Sequence, residues 1–331
     1  MVVLVTGGAG YVGSHTCVEL LQGGHTVVVV DNFSNSSPRA IAAVEKLTDC
    51  KIRLYRGDVR NVALLEEIFS QNSVDWVMHF AGLKAVGESC RKPLEYYQNN
   101  VGGMLALTDV MRKHGCNKIV FSSSATVYGE PERLPLDENC SVGNVTNPYG
   151  ASKYFQEVIL QDICKADSAW TAVLLRYFNP IGAHPSGLLG EAPQGIPNNL
   201  TPYVAKVARG ELPFVPVFGN DYNTVDGTGV RDYLHVCDLA KGHVAALNHV
   251  NTAGAHVYNL GTGTGYSVLQ VIDAFQRACG KTIPVEFKPR RSGDVAALYA
   301  DVSKARRELH WTAELSLEDM CKSLWNWQLH N

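Results

Sequence analysis

An α/β fold built on a doubly wound parallel sheet, followed by a smaller mixed α/β lobe, is predicted by three features of the sequence. Short apolar runs alternate with helix-length stretches as far as about residue 180. A glycine-rich turn joins the first run to the first helix. After Pro180 the texture changes to segments rich in Gly, Pro and Asn, such as Gly182-Ala183-His184-Pro185-Ser186-Gly187 and residues 194–199. At 331 residues the chain exceeds the usual size of one domain. The expected division is 1–180 and 181–331, with some later segments returning to the first part. Charged residues at 18% against 46% hydrophobic exclude a disordered chain. A formal charge of -3 with no basic tail argues against nucleic acid. No apolar run reaches membrane-spanning length.

The elements follow in order. Val2 to Val5 reads as a strand, Gly7, Gly10 and Gly13 as a turn, and the next residues to about Leu21 as a helix. Glycines there permit a tight turn and close approach of backbone to a pyrophosphate, whose charge suits the helix-end N–H groups. Thr26 to Val30 is the next strand, ending at Asp31. An acid at this position fits ribose hydroxyls and disfavours a 2′-phosphate, so NAD is expected over NADP. Ile52 to Tyr55 and Val74 to Phe80 read as strands, Asn61 to Phe69 and Pro93 to His114 as helices. Asp58 is a candidate acceptor for the adenine amino group, and Ala81-Gly82 would let a cofactor lie against a strand end. His79 is read as a packed histidine, with a catalytic role as the alternative, since no metal partner is near. Lys118 to Phe121 is a strand that ends at Ser122-Ser123-Ser124, functional candidates by position or plain loop serines.

Asn147 and Pro148 read as the cap and first residue of a helix running to about Cys164. Tyr149 and Lys153 then share one face, a candidate acid–base couple in which a lysine charge and the helix dipole lower the phenol's pKa from about 10. Ala172 to Arg176 follows as a strand. In the second lobe, Leu200 to Arg209, Asp238 to His249, Ser267 to Cys279, Asp301 to Leu309 and Leu317 to Trp327 read as helices, Phe214 to Phe218 and Val257 to Leu260 as strands. Gly261-Thr262-Gly263 suggests a second nucleotide site, but a plain turn is the preferred reading because no downstream acid follows. The 9 scattered cysteines suggest neither a disulfide frame nor a zinc site, so no metal is expected. The terminus enters a strand and glycine turn at once, which points to the cytosol.

Together Gly7/Gly10/Gly13, Asp31, Ser124 and Tyr149/Lys153 resemble the extended short-chain dehydrogenase/reductase family. The likeness is strongest to those members that invert C4 of a UDP-hexose. It is carried by residues 6–15, 79–89 and 121–129, by Leu175-Arg176-Tyr177-Phe178-Asn179-Pro180, by Gly229-Val230-Arg231-Asp232-Tyr233 and by residues 290–299. The resemblance implies a tightly held NAD, regenerated each turnover, and reversible conversion of UDP-galactose and UDP-glucose through a 4-keto-hexose. It makes Tyr149 the proton acceptor and donor, Lys153 the group that tunes it and binds the nicotinamide ribose, and Ser124 an aid to proton transfer. It places Gly7, Gly10, Tyr11, Val12, Gly13, Asp31, Asn32, Asp58, Val59, Phe80, Ala81, Gly82, Lys84, Asn99, Ser122 and Tyr177 around NAD, beside Tyr149 and Lys153. It implies Lys84, Ser124, Tyr149, Phe178, Asn179, Asn199, Leu200, Phe218, Arg231, Tyr233, Arg291, Asp294 and Leu298 as substrate contacts, the two arginines on the diphosphate, Phe218 near uracil and Asp294 on its ribose. Leu298 falls where the family sets its tolerance of N-acetyl groups, with the alternative that it points into the core. Related dehydratases carry Thr-Asp-Glu where this chain has Ser124-Ala125-Thr126, which disfavours dehydration. A homodimer through parts of 93–114 and 148–164 is also implied.

Overall fold

The computed structural model describes residues 1–192, 197, 199–291 and 294–331. The first half alternates strand and helix: β1 (Val2–Thr6), α1 (Tyr11–Gln22), β2 (Thr26–Asp31), α2 (Pro38–Thr48), β3 (Arg53–Arg56), α3 (Val62–Gln71) and β4 (Trp76–His79). Next come α4 (Val86–Arg91), α5 (Pro93–Tyr96), a π turn (Tyr97–Val101), α6 (Gly102–Lys113), β5 (Lys118–Ser124), a 3₁₀ turn (Ala125–Tyr128), α7 (Pro148–Ala166) and β6 (Thr171–Tyr177). The remainder is β7 (Asn179–Ile181), α8 (Leu200–Ala208), β8 (Val215–Phe218), β9 (Val230–His235), α9 (Val236–His249), β10 (Gly254–Leu260), β11 (Gly265–Ser267), α10 (Val268–Cys279), β12 (Val285–Lys288), β13 (Ala297–Leu298), α11 (Ser303–Glu308) and α12 (Leu317–His330).

Seven strands form one parallel sheet in the order β10-β6-β5-β4-β1-β2-β3. From β1 the chain winds outward to β2 and β3, then returns to β4 and winds the other way. This leaves a crevice outside the carboxyl ends of β1 and β4. Both faces of the sheet are covered at its centre, so β1, β2 and β4 are almost continuously buried rather than alternating, while edge strand β3 is largely exposed. Val3, Val5, Val27 and Val29 face the layer built on α1, α2 and α9, while Leu4, Val28 and Val30 face that of α3, α6 and α7. The predicted strand at Val257–Leu260 is β10, and it extends the large sheet beside β6. A smaller lobe packs α8, α10 and α12 around β9 and β8, with Phe275, Val271 and Leu324 buried.

Differences from the sequence reading have local causes. Helix α2 was not among the expected elements, although Ser37 accepts from Arg39 N and Pro38 opens it; only Ile41 and Val44 of its face are buried, a thin stripe. The expected continuous helix over 93–114 is interrupted by the π turn at Tyr97–Val101, a feature often found at functional sites. Strand β5 runs on through all three serines, because the sheet and α7 satisfy their hydroxyls.

Candidate active site

The glycine turn sits at the mouth of the crevice. Gly7 has φ +70°, and a Cβ there would lie 2.7 Å from Ala81 N; one on Gly13 would lie 2.4 Å from Gly7 O. Helix α1 has no side-chain cap, so its first amides remain available to an anion. Asp31 is buried and organises the turn: it accepts from Ala9 N (2.9 Å), Phe33 N (2.8 Å) and the Ser36 hydroxyl (2.8 Å). Asp58 is engaged by Arg60, whose Nε and Nη2 donate at 2.8 and 2.7 Å, and by Asn32 at 3.1 Å. Those partners, Arg60 first, hold its carboxyl down at about 2. Val59 is buried, and Phe80 and Tyr177 flank the ring of His243 at 4.8 and 5.6 Å. Ser122 and Tyr177 share a hydrogen bond through their hydroxyls. Gly82 lies against Asn100, to which Asn99 donates at 3.1 Å. A bare glycine turn with free helix amides, an acid behind it and small residues on the facing strand end fit a dinucleotide.

Helix α7 is capped as expected, Asn147 Oδ1 accepting from Gly150 N at 2.9 Å. Tyr149 is half-buried beside Ser124, whose hydroxyl is pinned by Thr126 N (3.2 Å) and Thr126 Oγ1 (3.0 Å). Burial raises the Tyr149 phenol, opposed by the Ser124 hydroxyl and the Lys84 charge. Lys153, one turn along α7, donates its Nζ to Ser122 O at 2.6 Å and sits 4.9 Å over the Phe121 ring. Burial pushes it down to about 7. The charge of Lys84 also reaches Tyr149; this half-exposed lysine donates its Nζ to Glu191 at 2.8 Å and lies 5.9 Å from the Tyr11 ring centre. His79 is a packed residue as read, its Nδ1 2.7 Å from Thr6 Oγ1 and its pKa pushed down to about 3 by burial.

The smaller lobe gathers a second group. Arg291 lies 4.7 Å over the Phe218 ring and its Nε donates to Asp294 at 2.9 Å. Arg231 stands on β9 next to buried Tyr233, whose phenol burial raises to about 12 against both arginines. Asn179 on β7 is paired in register with Tyr233, and Leu298 on β13 with Arg231. Leu298 also packs against the cluster containing buried Phe178 and Tyr128. Asn199 and Leu200 open α8; of the loop read over 194–199, residues 194–196 and 198 lie outside the described residues. The turn after β10 holds a carboxylate of the chain itself: Asp232 accepts from Thr262 N (2.8 Å), Gly263 N (3.0 Å) and Ala300 N (3.2 Å). A second phosphate there is thus excluded, in keeping with the plain turn.

Asn100, Glu157, Arg176 and Glu191 were not foreseen. Asn100 accepts from Leu83 N (2.8 Å) and donates to Ser152 Oγ (2.9 Å), joining the 83 loop to α7. Glu157 carried one legible signal, its place four residues beyond Lys153. Among the described residues no cluster of His, Cys, Asp and Glu could hold a metal, and no helix is long and apolar enough to cross a membrane.

Comparison with known proteins agrees across the chain. The family model described as GDP-mannose 4,6 dehydratase matches residues 4–324. A UDP-glucose 4-epimerase of Homo sapiens is 56% identical over 336 residues, covering 99% of this chain and 97% of its own. The crystal structure of UDP-glucose 4-epimerase from Bifidobacterium longum, in complex with NAD+ and UDP, superposes with a TM-score of 0.98 at 61% identity, covering 100% and 99% of the two chains. That of Stenotrophomonas maltophila, with NAD and formylated UDP-arabinopyranose, gives 0.97 at 46% identity, covering 99% and 98%.

Proposed function

Since the chain belongs to the UDP-glucose 4-epimerases of the short-chain dehydrogenase/reductase family, we propose that Tyr149, Ser124 and Lys153 carry the proton handling of its reaction. The enzyme is an isomerase that interconverts UDP-glucose and UDP-galactose through a 4-keto-hexose, with NAD as cofactor. NAD, when bound, takes the hydride from C4 and returns it to the other face. Removal of hydride leaves a carbonyl only if the hydroxyl proton departs to a base, and the same group must later give it back. Tyr149 is the acceptor and donor, and Ser124, fixed by Thr126, is the hydroxyl that orients the proton. Lys84, whose charge reaches the phenol, and Lys153, one turn along the same helix face, are the two cations that favour tyrosinate. The observation that carries this reading is the meeting of Tyr149 and Ser124 at the sheet's carboxyl edge, beside the glycine crevice.

The dehydratase description of the family model does not extend to the chemistry. Ala125, buried in an apolar cluster, stands where the related dehydratases carry an acid, so no carboxyl is present there to remove water. In our reading the UDP end lies on the smaller lobe: Arg231 and Arg291 neutralise the diphosphate, Phe218 stacks near uracil, Asp294 receives ribose hydroxyls, and Asn179 and Asn199 bind the sugar and phosphate edge. The NAD half is the large sheet, residues 1–180, with α9 and β10 returning to it from the 181–331 part. Leu298, mounted beside Arg231, crowds an N-acetyl arm, so the plain hexoses are the preferred substrates. Leu94, Leu105 and Phe155 are exposed apolar residues on α5, α6 and α7, and they suit a homodimer of this cytoplasmic enzyme.

The test is conversion of UDP-galactose to UDP-glucose by purified protein after NAD reconstitution. Tyr149→Phe is expected to lower turnover roughly 10²–10⁴-fold with NAD still bound. An unchanged rate refutes the role of Tyr149, and no conversion by the native chain refutes the whole assignment.

A further inference from the structure

Behind Ser124 and Tyr149 lies an ion pair that the proton chemistry does not itself use. The side chains of Glu157 and Arg176 are 0% and 3% exposed. Arg176 Nε donates to Oε1 at 3.0 Å and Nη2 to Oε2 at 2.7 Å, while the Ser123 hydroxyl donates to Oε1. The guanidinium lies 4.9 Å from the Tyr128 ring centre, and Tyr128 in turn donates to Asn259 at 2.7 Å. Replacing such a buried pair by apolar side chains of equal volume is often neutral or stabilising, so the needs of the fold do not account for it.

Its position does. Glu157 stands one helical turn beyond Lys153 on the same face of α7. Lys153 binds the carbonyl of Ser122, Glu157 the hydroxyl of Ser123, and Ser124 lies beside Tyr149, so the three serines at the tip of β5 are each met by one of three turns of α7. Arg176 is the register partner of Ser123 on β6, as Tyr177 is of Ser124.

We infer that Glu157 and Arg176 are positioning residues for the epimerisation: the pair locks α7 to the tips of β5 and β6 and fixes the Glu157 carboxylate one turn beyond Lys153 on the face that carries Tyr149. The inference rests on the assignment of Tyr149 and Lys153 above. The ionisable groups that face Lys153 are Glu157 on α7 and neutral His79 on β4; Tyr149 lies one turn earlier on the same helix face, and Arg176 on β6 is held by Glu157. Burial pushes Lys153 down to about 7, and Glu157 is the influence that opposes it. Without that carboxylate the ammonium is lost at lower pH.

The experiment follows Glu157→Gln in the NAD-loaded enzyme. At pH 7 kcat is expected to fall roughly fivefold with KM within about threefold, and the alkaline limb of kcat to move about one unit lower. The Cε resonance of Lys153 in ¹³C-lysine-labelled protein, assigned by its loss in Lys153→Met, should titrate lower by the same amount. Glu157→Asp should restore much of the limb. Because Gln leaves Arg176 unpaired, Glu157→Met with Arg176→Met keeps the test alive if the single variant fails to fold; a downward displacement smaller than that of a lone lost carboxylate is expected, since a cation leaves with the anion. A merely structural pair would lower kcat equally at every pH. A native alkaline limb and native Lys153 titration in a folded variant, with Lys153→Met inactive, overturns the inference alone. Native turnover in Lys153→Met overturns the assignment of Lys153 and the inference with it.

Discussion

Four histidines make the stability of this enzyme steeply dependent on pH just below neutrality. His15, His79, His235 and His243 are all buried, and burial pushes them down to about 3, 3, 4 and 4. The Nε2 atoms of His15, His79 and His243 have no hydrogen-bond partner, so a proton added there is bare. The unfolded chain takes up a proton at each near pH 6.5, while the folded chain refuses it until pH 3–4. Their stabilising effect is therefore complete above about 6.5 and declines as the pH falls toward 4. Between pH 7.5 and 5.5 each histidine contributes a loss of about 1.4 kcal/mol, on the order of 5 kcal/mol for the four, comparable with the whole stability of many domains. Urea unfolding of the cofactor-free chain at the two pH values measures the loss, and potentiometry should find about four protons taken up on unfolding at pH 5.5. His243→Phe, facing Phe80 and Tyr177, should remove about a quarter of the slope. A difference below about 1 kcal/mol, or uptake of less than about one proton, would refute the argument that these rings are held neutral.

Three further outcomes are expected. Leu298→Cys should raise the rate on UDP-N-acetylglucosamine relative to UDP-glucose; an unchanged ratio places the pocket wall elsewhere. Gly13→Ala puts a methyl 2.4 Å from Gly7 O, so the purified variant should lose bound NAD, read from its absorbance, and about 1–3 kcal/mol of stability. Phe155→Asp, on the exposed face of α7 beside Tyr97, should shift the proposed dimer to monomer in sedimentation, and retention of the native value would remove α7 from the proposed interface.

Much of this enzyme is local and hence legible in its sequence. Pro148 after Asn147, the glycines at 7, 10 and 13, and Asp31 at a strand end each specify a backbone geometry through neighbours a few residues away. They yielded the sheet, the cofactor crevice and the place of Tyr149 without reference to distant parts of the chain. Arg231, Arg291, Phe218 and Asp294 were named only through resemblance, because nothing local tells a ligand arginine from a surface one; in the folded chain Arg291 meets the Phe218 ring and the Asp294 carboxylate, and both arginines act on Tyr233. Tertiary structure alone brought a second cation toward Tyr149. Helical spacing puts Lys153 on the same face, its ammonium bound to the Ser122 carbonyl on β5, and Lys84 adds its charge from a loop 65 residues earlier. Glu191 and Trp327 hold that arrangement from the far end of the sequence, the indole donating to Glu191 O at 3.2 Å. Periodicity tells which face of a helix a side chain occupies. Which charge it finally answers depends on what the fold brings against that face.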